Sequence, residues 1–212
     1  MRNEISYYSE IQEFIETQLK SNFLVSNHRN LYVYWGIGEL KSNLYRIIKE
    51  HPAECSCALQ FAKRIPPLSL DIFALVTDGN KFELLILEIK LVKSAGLREW
   101  SQLVGYCLVS GAKYGLLVNT IAFNSSARRL VSGAKYGLLV NIDNGSSERL
   151  TQTLSSEYHM SHIHTIVNDK RREHMLGFMQ WNSLTHNFEY TNLGFIKSLS
   201  DLSNKLISEF AE

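Results

Sequence analysis

Cysteine is scarce in this chain of 212 residues: only Cys55, Cys57 and Cys107 occur, an odd number with two of them separated by a single residue. That excludes a disulfide framework and lacks the paired spacing of a zinc site, so a reducing interior is the expected setting. Long apolar runs are missing too. The opening MRNEISYYSEIQEF has no apolar stretch of the signal-peptide kind, and no later run approaches the roughly 20 residues a bilayer requires. The expectation is a soluble, intracellular (cytoplasmic) protein with no membrane partner. Nor is there an excess of one charge: Lys plus Arg number 22 against 21 acidic residues, so a nucleic-acid surface would have to come from local clustering. Gly36 and Gly38 make neither a P-loop nor a dinucleotide fingerprint, because the third glycine and the Gly-Lys-Ser/Thr ending are absent.

What is present is enough apolar material, 45% of the residues, for one sizeable core. We therefore expect one domain over 1–212, with its core at about 55–141, helices before it and a strand and helix after it. Ile11, Phe14, Ile15 and Leu19 fall at helical spacing within Ser9 to Lys20. Asn30 to Ile37 reads as a short strand or irregular segment, and Glu39 to Lys49 as a helix through Leu40, Leu44, Ile47 and Ile48. Cys57 to Arg64 is read as a first sheet strand, ended by Pro66 and Pro67.

The clearest local signal is a hairpin. LDIFALVT (Leu70 to Thr77) and KFELLILEIKL (Lys81 to Leu91) flank the turn formers Asp78, Gly79 and Asn80. A helix over Leu97 to Val109 and a strand over Tyr114 to Asn119 follow, which gives an α/β fold with a mixed central β-sheet flanked by helices. Leu108 to Asn119 and Leu130 to Asn141 are the same twelve residues, LVSGAKYGLLVN, so the segment is duplicated. Two copies do not make a solenoid. The first is preferred as the strand after the helix, with Ser125 to Leu130 a connecting helical turn to a second. Ser155 to Val167 stays open, Met175 to Trp181 reads as a strand, and Gly194 to Phe210 as an amphipathic helix.

A turn centred on Gly79 sets Asp71 opposite or nearly opposite Glu88, and alternation puts Lys90 on the same face as Glu88. Both faces of LLILEIK are otherwise apolar, and an uncompensated charge on such an interior strand costs several kcal/mol. A hard divalent cation compensates it: Mg²⁺ is typically held by one or two carboxylates while keeping waters that a phosphate can replace. Lys90 could then orient or help deprotonate an attacking water, which assembles the parts of phosphodiester hydrolysis. The plainer alternative is an internal ion-pair cluster at the sheet rim.

These residues resemble the PD-(D/E)xK nuclease superfamily, whose pattern is a carboxylate at the start of one strand and Glu-x-Lys in the next. LSLDIFAL and LEIK fill those places, with Leu70 standing where the family usually has Pro. The resemblance covers Leu68 to Asn119 and implies a restriction-endonuclease-like αβββαβ core, Mg²⁺ (with Mn²⁺ as a substitute) on Asp71 and Glu88, and Asp71, Glu88 and Lys90 as catalytic residues. SQLVGY resembles the family's Gln-x-x-x-Tyr element, which implies a catalytic or shaping role for Gln102 and nucleic-acid contact by Arg98, Gln102 and Tyr106. The family's N-terminal helix Glu corresponds to Glu10, with Glu13 as the lesser choice, and implies a further metal ligand. The chain as a whole also resembles the nuclease-fold proteins of archaeal spindle-shaped viruses, which would put its action on viral or host DNA in the host cytoplasm. The implied partners are DNA and a second copy in a homodimer, since two symmetric sites readily cut both strands.

Rival readings stay open. A Holliday-junction-type resolvase is the nearest enzymatic variant, and a non-cleaving DNA-binding module or a purely structural protein belongs to another class. His159, His162 and His164 read as an exposed strand rather than a metal cluster, and Lys170, Arg171 and Arg172 as a solvated basic loop.

Overall fold

A computed structural model of the chain describes residues 3–27, 31–92, 97–120, 162–167 and 170–211. The second LVSGAKYGLLVN copy, the expected turn at Ser125 to Leu130 and His159 lie outside the described residues.

The chain starts with a 3-10 turn (Glu4–Tyr7) capped by Asn3, whose side chain accepts the Ser6 N–H at 3.1 Å, and passes into helix α1 (Tyr8–Asn27). Strand β1 (Tyr32–Glu39) leads directly into α2 (Leu40–Glu50). The Glu39 carboxylate makes the junction sharp, because it accepts the Lys41 and Ser42 N–H groups that would otherwise be orphaned at the helix start.

Where a first sheet strand was expected, at Cys57 to Arg64, the structure has α3 (Pro52–Cys55), a 3-10 turn (Ser56–Ala58) and α4 (Leu59–Arg64). The correction has a simple cause. Cys55, Ala58, Ala62 and Ile65 are the buried positions, and their spacing of three and four residues is a helical stripe, not the alternation of a strand.

The hairpin forms as read, with β2 (Ser69–Thr77) antiparallel to β3 (Phe82–Lys90). Its turn rests on Gly79 at φ +95° and on Asp78, whose carboxylate accepts the Asn80 and Lys81 N–H groups. Helix α5 (Leu97–Ser110) carries the chain over to β4 (Tyr114–Asn119), parallel to β3, so the first copy of the duplicated segment supplies a central strand. That position requires its glycine: a Cβ on Gly115 would sit 2.7 Å from both Cys107 Sγ and Leu176 Cδ2.

Of the segment left open, residues 162–167 form strand β5 (His162–Val167) and the rest lies outside the described residues; β6 (Lys170–Asn182), β7 (Asn187–Gly194) and α6 (Leu199–Ala211) complete the described chain. The seven strands form one mixed sheet in the order β1-β2-β3-β4-β6-β5. Long β6 lies parallel to β4 and pairs along its other edge first with β5 and then with β7. The sheet thus begins with β1, well before the expected core boundary at residue 55, and β7 takes residues the sequence reading had left without an element or placed at the start of the last helix.

Helices cover both faces. Ile11, Ile15 and Leu19 of α1 and Leu202, Leu206 and Phe210 of α6 pack on Ile72, Ala74, Leu85, Leu87 and Leu116. On the opposite face Leu44 and Ile47 of α2, Ala62 of α4, and Trp100, Leu103 and Cys107 of α5 pack on Phe73, Leu75, Leu84, Ile86 and Leu117. Alternate residues of β2 and β3 feed different layers, which is why their sequence reads as continuous apolar runs. No helix among the described residues is long and apolar enough to cross a membrane.

Candidate active site

The β2–β3 ladder runs from Thr77↔Phe82 to Ile72↔Leu87, and Asp71 lies just beyond it, at a bulge where the β1–β2 register passes from Ile37↔Ile72 to Gly38↔Leu70. Glu88 lies on the α2, α4 and α5 face with Leu84 and Ile86, while Asp71 is reached by Tyr8 at the start of α1. Asp71 Oδ2 accepts the Ile89 N–H at 3.1 Å, which fastens the carboxylate across the end of the ladder.

Lys90, two residues beyond Glu88 and on the same face, closes the group. Its Nζ lies 2.5 Å from Glu88 Oε1 and 3.7 Å from Asp71 Oδ2. Glu88 is fully buried, whereas the Lys90 and Asp71 side chains keep 16% and 26% of their exposure, so the group opens toward solvent on the Asp71 and Lys90 side. Glu88 Oε1 is ion-paired with Lys90, while the buried Oε2 has no hydrogen-bond partner among the described residues.

Burial, reinforced by Asp71 and Glu4 and opposed by Lys90, pushes the Glu88 carboxyl up to about 7. For Lys90, burial pulls downward, but Glu88, Asp71 and Glu4 outweigh it, and the ammonium is held above its ordinary range. Tyr8, at the start of α1, hydrogen-bonds Asp71, and burial followed by the Asp71 and Glu4 charges pushes its phenol upward.

The structure therefore brings Asp71, Glu88 and Lys90 together. Glu10 is placed elsewhere: it faces His186 Nδ1 at 3.7 Å in the β6–β7 connection, and Glu13 is exposed on α1. The carboxylate that the N-terminal segment brings to the end of β3 is Glu4, which accepts the Leu91 N–H at 3.1 Å. Glu4 precedes the helical pattern of α1, and its partner is 87 residues away, so no local spacing marks it.

Gln102 and Tyr106 meet on α5, the amide donating to the phenol at 2.8 Å, and Arg98 is exposed one turn earlier. All three ride on the helix that covers the Glu88 face. Two amides unnoticed in the sequence extend the site. Lys90, Asn119 and Gln180 are in register across β3, β4 and β6. Asn119 exchanges hydrogen bonds with the backbone of Val92 (2.9 and 3.2 Å), and Gln180 donates to the Asn119 carbonyl at 2.8 Å. The signal for Gln180 was a single amide inside the apolar run Met175 to Trp181.

The basic run Lys170 to Arg172 opens β6 at the opposite pole. Arg172 lies eight residues before Gln180 on that strand, roughly 26 Å away at about 3.3 Å per residue.

Could this site hold a cation? Glu88 offers a buried Oε2 without a hydrogen bond and an Oε1 held only by Lys90, and Asp71 Oδ2 lies 3.7 Å from the same ammonium; both carboxylates are hard donors suited to Mg²⁺ or Mn²⁺. Among the described residues no group of three or more His, Cys, Asp or Glu side chains is arranged to hold a metal, so the protein's side-chain contribution would be the two carboxylates. One or two carboxylates is the usual protein share for Mg²⁺. Compared with protein-family models, curated proteins and solved structures, the chain shows no match.

Proposed function

We propose that this protein is a divalent-cation-dependent nuclease of the PD-(D/E)xK kind, an endonuclease hydrolysing DNA phosphodiester bonds. The observation that carries this reading is the fully buried Glu88, whose one partner among the described residues is the Lys90 ammonium at 2.5 Å from Oε1, with Asp71 facing that ammonium at the end of a parallel strand pair. Lys90 meets only Oε1, which leaves the buried Oε2 without a donor among the described residues; an unsatisfied buried acceptor costs about 1–3 kcal/mol, a cost that a bound cation would relieve. The position agrees with the rule that ligands of open α/β sheets bind beyond the carboxyl ends of the strands. The order α1, β1, β2, β3, α5, β4, with α2 to α4 inserted after β1, also fits the αβββαβ arrangement.

Asp71 and Glu88 would hold the cation, Mg²⁺ or Mn²⁺. When bound, it supplies positive charge at the phosphoryl oxygens and acidifies the attacking water. Lys90, its proton retained by three neighbouring carboxylates, acts as an ammonium that orients the water and the scissile phosphate rather than as a base. Tyr8 and the Ile89 N–H hold Asp71 in place, while the Asn119–Gln180 amides fix the chain beyond Lys90. Gln102, Tyr106 and Arg98 would meet the nucleic acid from α5. Cutting both strands of a duplex calls for two such sites, hence a homodimer as the acting species.

The test is incubation of the purified protein with linear duplex, single-stranded and four-way-junction DNA, with Mg²⁺, Mn²⁺ or EDTA, beside a Lys90→Ala control. Metal-dependent cleavage that the control lacks is the expected result, and the preferred DNA identifies the substrate. Tight binding without cleavage in any metal would overturn the enzyme in favour of a binding module.

A further inference from the structure

We infer that a basic rim formed by Lys41, Lys63 and Arg64, at the junction of α2 and α4, is a docking surface for the phosphate backbone of the nucleic acid. This inference rests on the nuclease reading above.

The need for such a surface follows from charge. Glu4, Asp71 and Glu88 against Lys90 leave the site acidic, and a chain of net charge +1 has no long-range pull on a polyanion. Attraction must come from cations beside the site. The topology places three there. Strand β1 ends against the start of β2, with Glu39 paired to Ser69, two residues ahead of Asp71. The Leu40 N–H donates to the Leu68 carbonyl at 2.8 Å, locking the first turn of α2 onto the segment that enters β2. That segment begins where α4 ends, at Arg64. The first turn of α2 and the last turn of α4 therefore meet at the end of the sheet that carries Asp71, and both helices lie on the face that Glu88 shares with Leu84 and Ile86.

Lys41 Nζ donates to the Lys63 carbonyl at 3.4 Å, which brings the Lys41 ammonium to the last turn of α4, where Lys63 and Arg64 are exposed. None of the three makes an ion pair among the described residues, unlike Lys20, Arg46, Lys113 and Lys205, which all face carboxylates. The neighbouring acid, Glu39, turns its oxygens to the N–H groups of Lys41, Ser42 and Leu68 and to the Ser42 hydroxyl, which holds its carboxyl below the ordinary range. Exposed cations without a carboxylate partner are free to neutralise phosphates of a polyanion. With Arg98 on α5 at the other flank, a backbone crossing the Asp71–Glu88–Lys90 opening has cations on both sides.

The experiment follows a fluorescent DNA duplex by polarisation in EDTA, where no cleavage occurs, as salt is varied. The triple variant Lys41→Ala/Lys63→Ala/Arg64→Ala should bind more weakly, and its slope of log affinity against log salt should be shallower by nearly three, about 0.9 for each phosphate no longer neutralised. Lys49→Ala, on the far turn of α2, should leave both unchanged, and Arg replacements at positions 41 and 63 should restore the slope. An unaltered slope in the triple variant, with its thermal midpoint at the wild-type value, overturns the rim. So does a variant that keeps DNA binding but loses adsorption to vesicles containing phosphatidylserine, which would assign the cations to a lipid surface. Failure of the nuclease reading looks different: DNA binding with a rim-dependent slope but no metal-dependent cleavage retains the rim and removes the enzyme. Cleavage with a rim-independent slope does the reverse, and no DNA binding by the wild type removes both.

Discussion

Lys90 Nζ lies 2.5 Å from Glu88 Oε1, joining two side chains that leave the same strand on the same face two residues apart. Because Glu88 is wholly buried and Lys90 is not, the pair has an inner member that depends on its partner and an outer member that could turn toward a substrate.

Lys90→Ala should abolish nuclease activity and make stability strongly pH-dependent. The Glu88 carboxyl titrates near 7 in the folded chain against an ordinary value of 4.5. Between those values the folded state binds more protons than the unfolded one, so this group lowers stability as pH rises through that window. Above about 7 its effect is constant, on the order of 3 kcal/mol at about 1.4 kcal/mol per pH unit. Without the ammonium the carboxyl moves higher and the penalty extends to more alkaline pH. Urea unfolding at pH 5 and pH 8.5 should show a deficit relative to wild type mainly at the alkaline value. Equal deficits at both would mean that Lys90 does not hold the Glu88 charge.

Glu88→Gln should separate stability from function. It removes a buried charge that only Lys90 offsets, leaves Lys90 with Asp71 at 3.7 Å, and takes away a proposed cation ligand. At pH 8 without metal its thermal midpoint should be no lower than wild type and up to several degrees higher, taking about 2–4 °C per kcal/mol for a chain of this size. Activity should be lost. A marked fall in the midpoint would show that the charge is structural.

Divalent cations should raise the thermal midpoint of the wild type, and more at pH 8 than at pH 6, because the Glu88 proton must leave before its carboxylate can bind. Asp71→Asn should erase that increment. Equal Mg²⁺ shifts in the two proteins, read by thermal denaturation, would remove Asp71 from the cation site.

Tyr8→Phe keeps the ring in the core and deletes the hydroxyl that bonds Asp71. We expect a loss of about 1 kcal/mol in stability and a weaker Mn²⁺ affinity, since Asp71 would then be held only by the Ile89 N–H and the longer Lys90 ion pair. Titration calorimetry with Mn²⁺ would show an unchanged affinity if the hydroxyl served packing only.

Gly115→Ala should destabilise by about 1–3 kcal/mol, because the added methyl meets Cys107 Sγ and Leu176 Cδ2 at 2.7 Å between α5 and β6. Denaturant unfolding measures it directly, and a neutral result would mean that α5 moves outward at no cost in stability.

The elements legible in the sequence were those with a sustained local period or an unmistakable turn. Asp78-Gly79-Asn80 between two β-rich runs defined the hairpin, and with it the arrival of Asp71 near the Glu88–Lys90 end of β3, because register in a tight hairpin follows from loop length. Helices α1, α2, α5 and α6 were visible for a similar reason: each repeats apolar residues at three and four. Residues 57–64 misled because two prolines and a short apolar stretch mimic a strand, while the buried stripe through Cys55, Ala58, Ala62 and Ile65 crosses three short helical pieces.

By itself, then, the sequence determined the hairpin, the amphipathic helices and the convergence of Asp71, Glu88 and Lys90, all consequences of backbone period acting over about 20 residues. Only the tertiary structure decided that Glu4 rather than Glu10 reaches the end of β3, that Gln180 and Asn119 stand in register with Lys90, and that Lys41 meets the last turn of α4. Those neighbours come together through sheet order and helix packing. Such pairings bridge distant parts of the chain, and no local spacing encodes them.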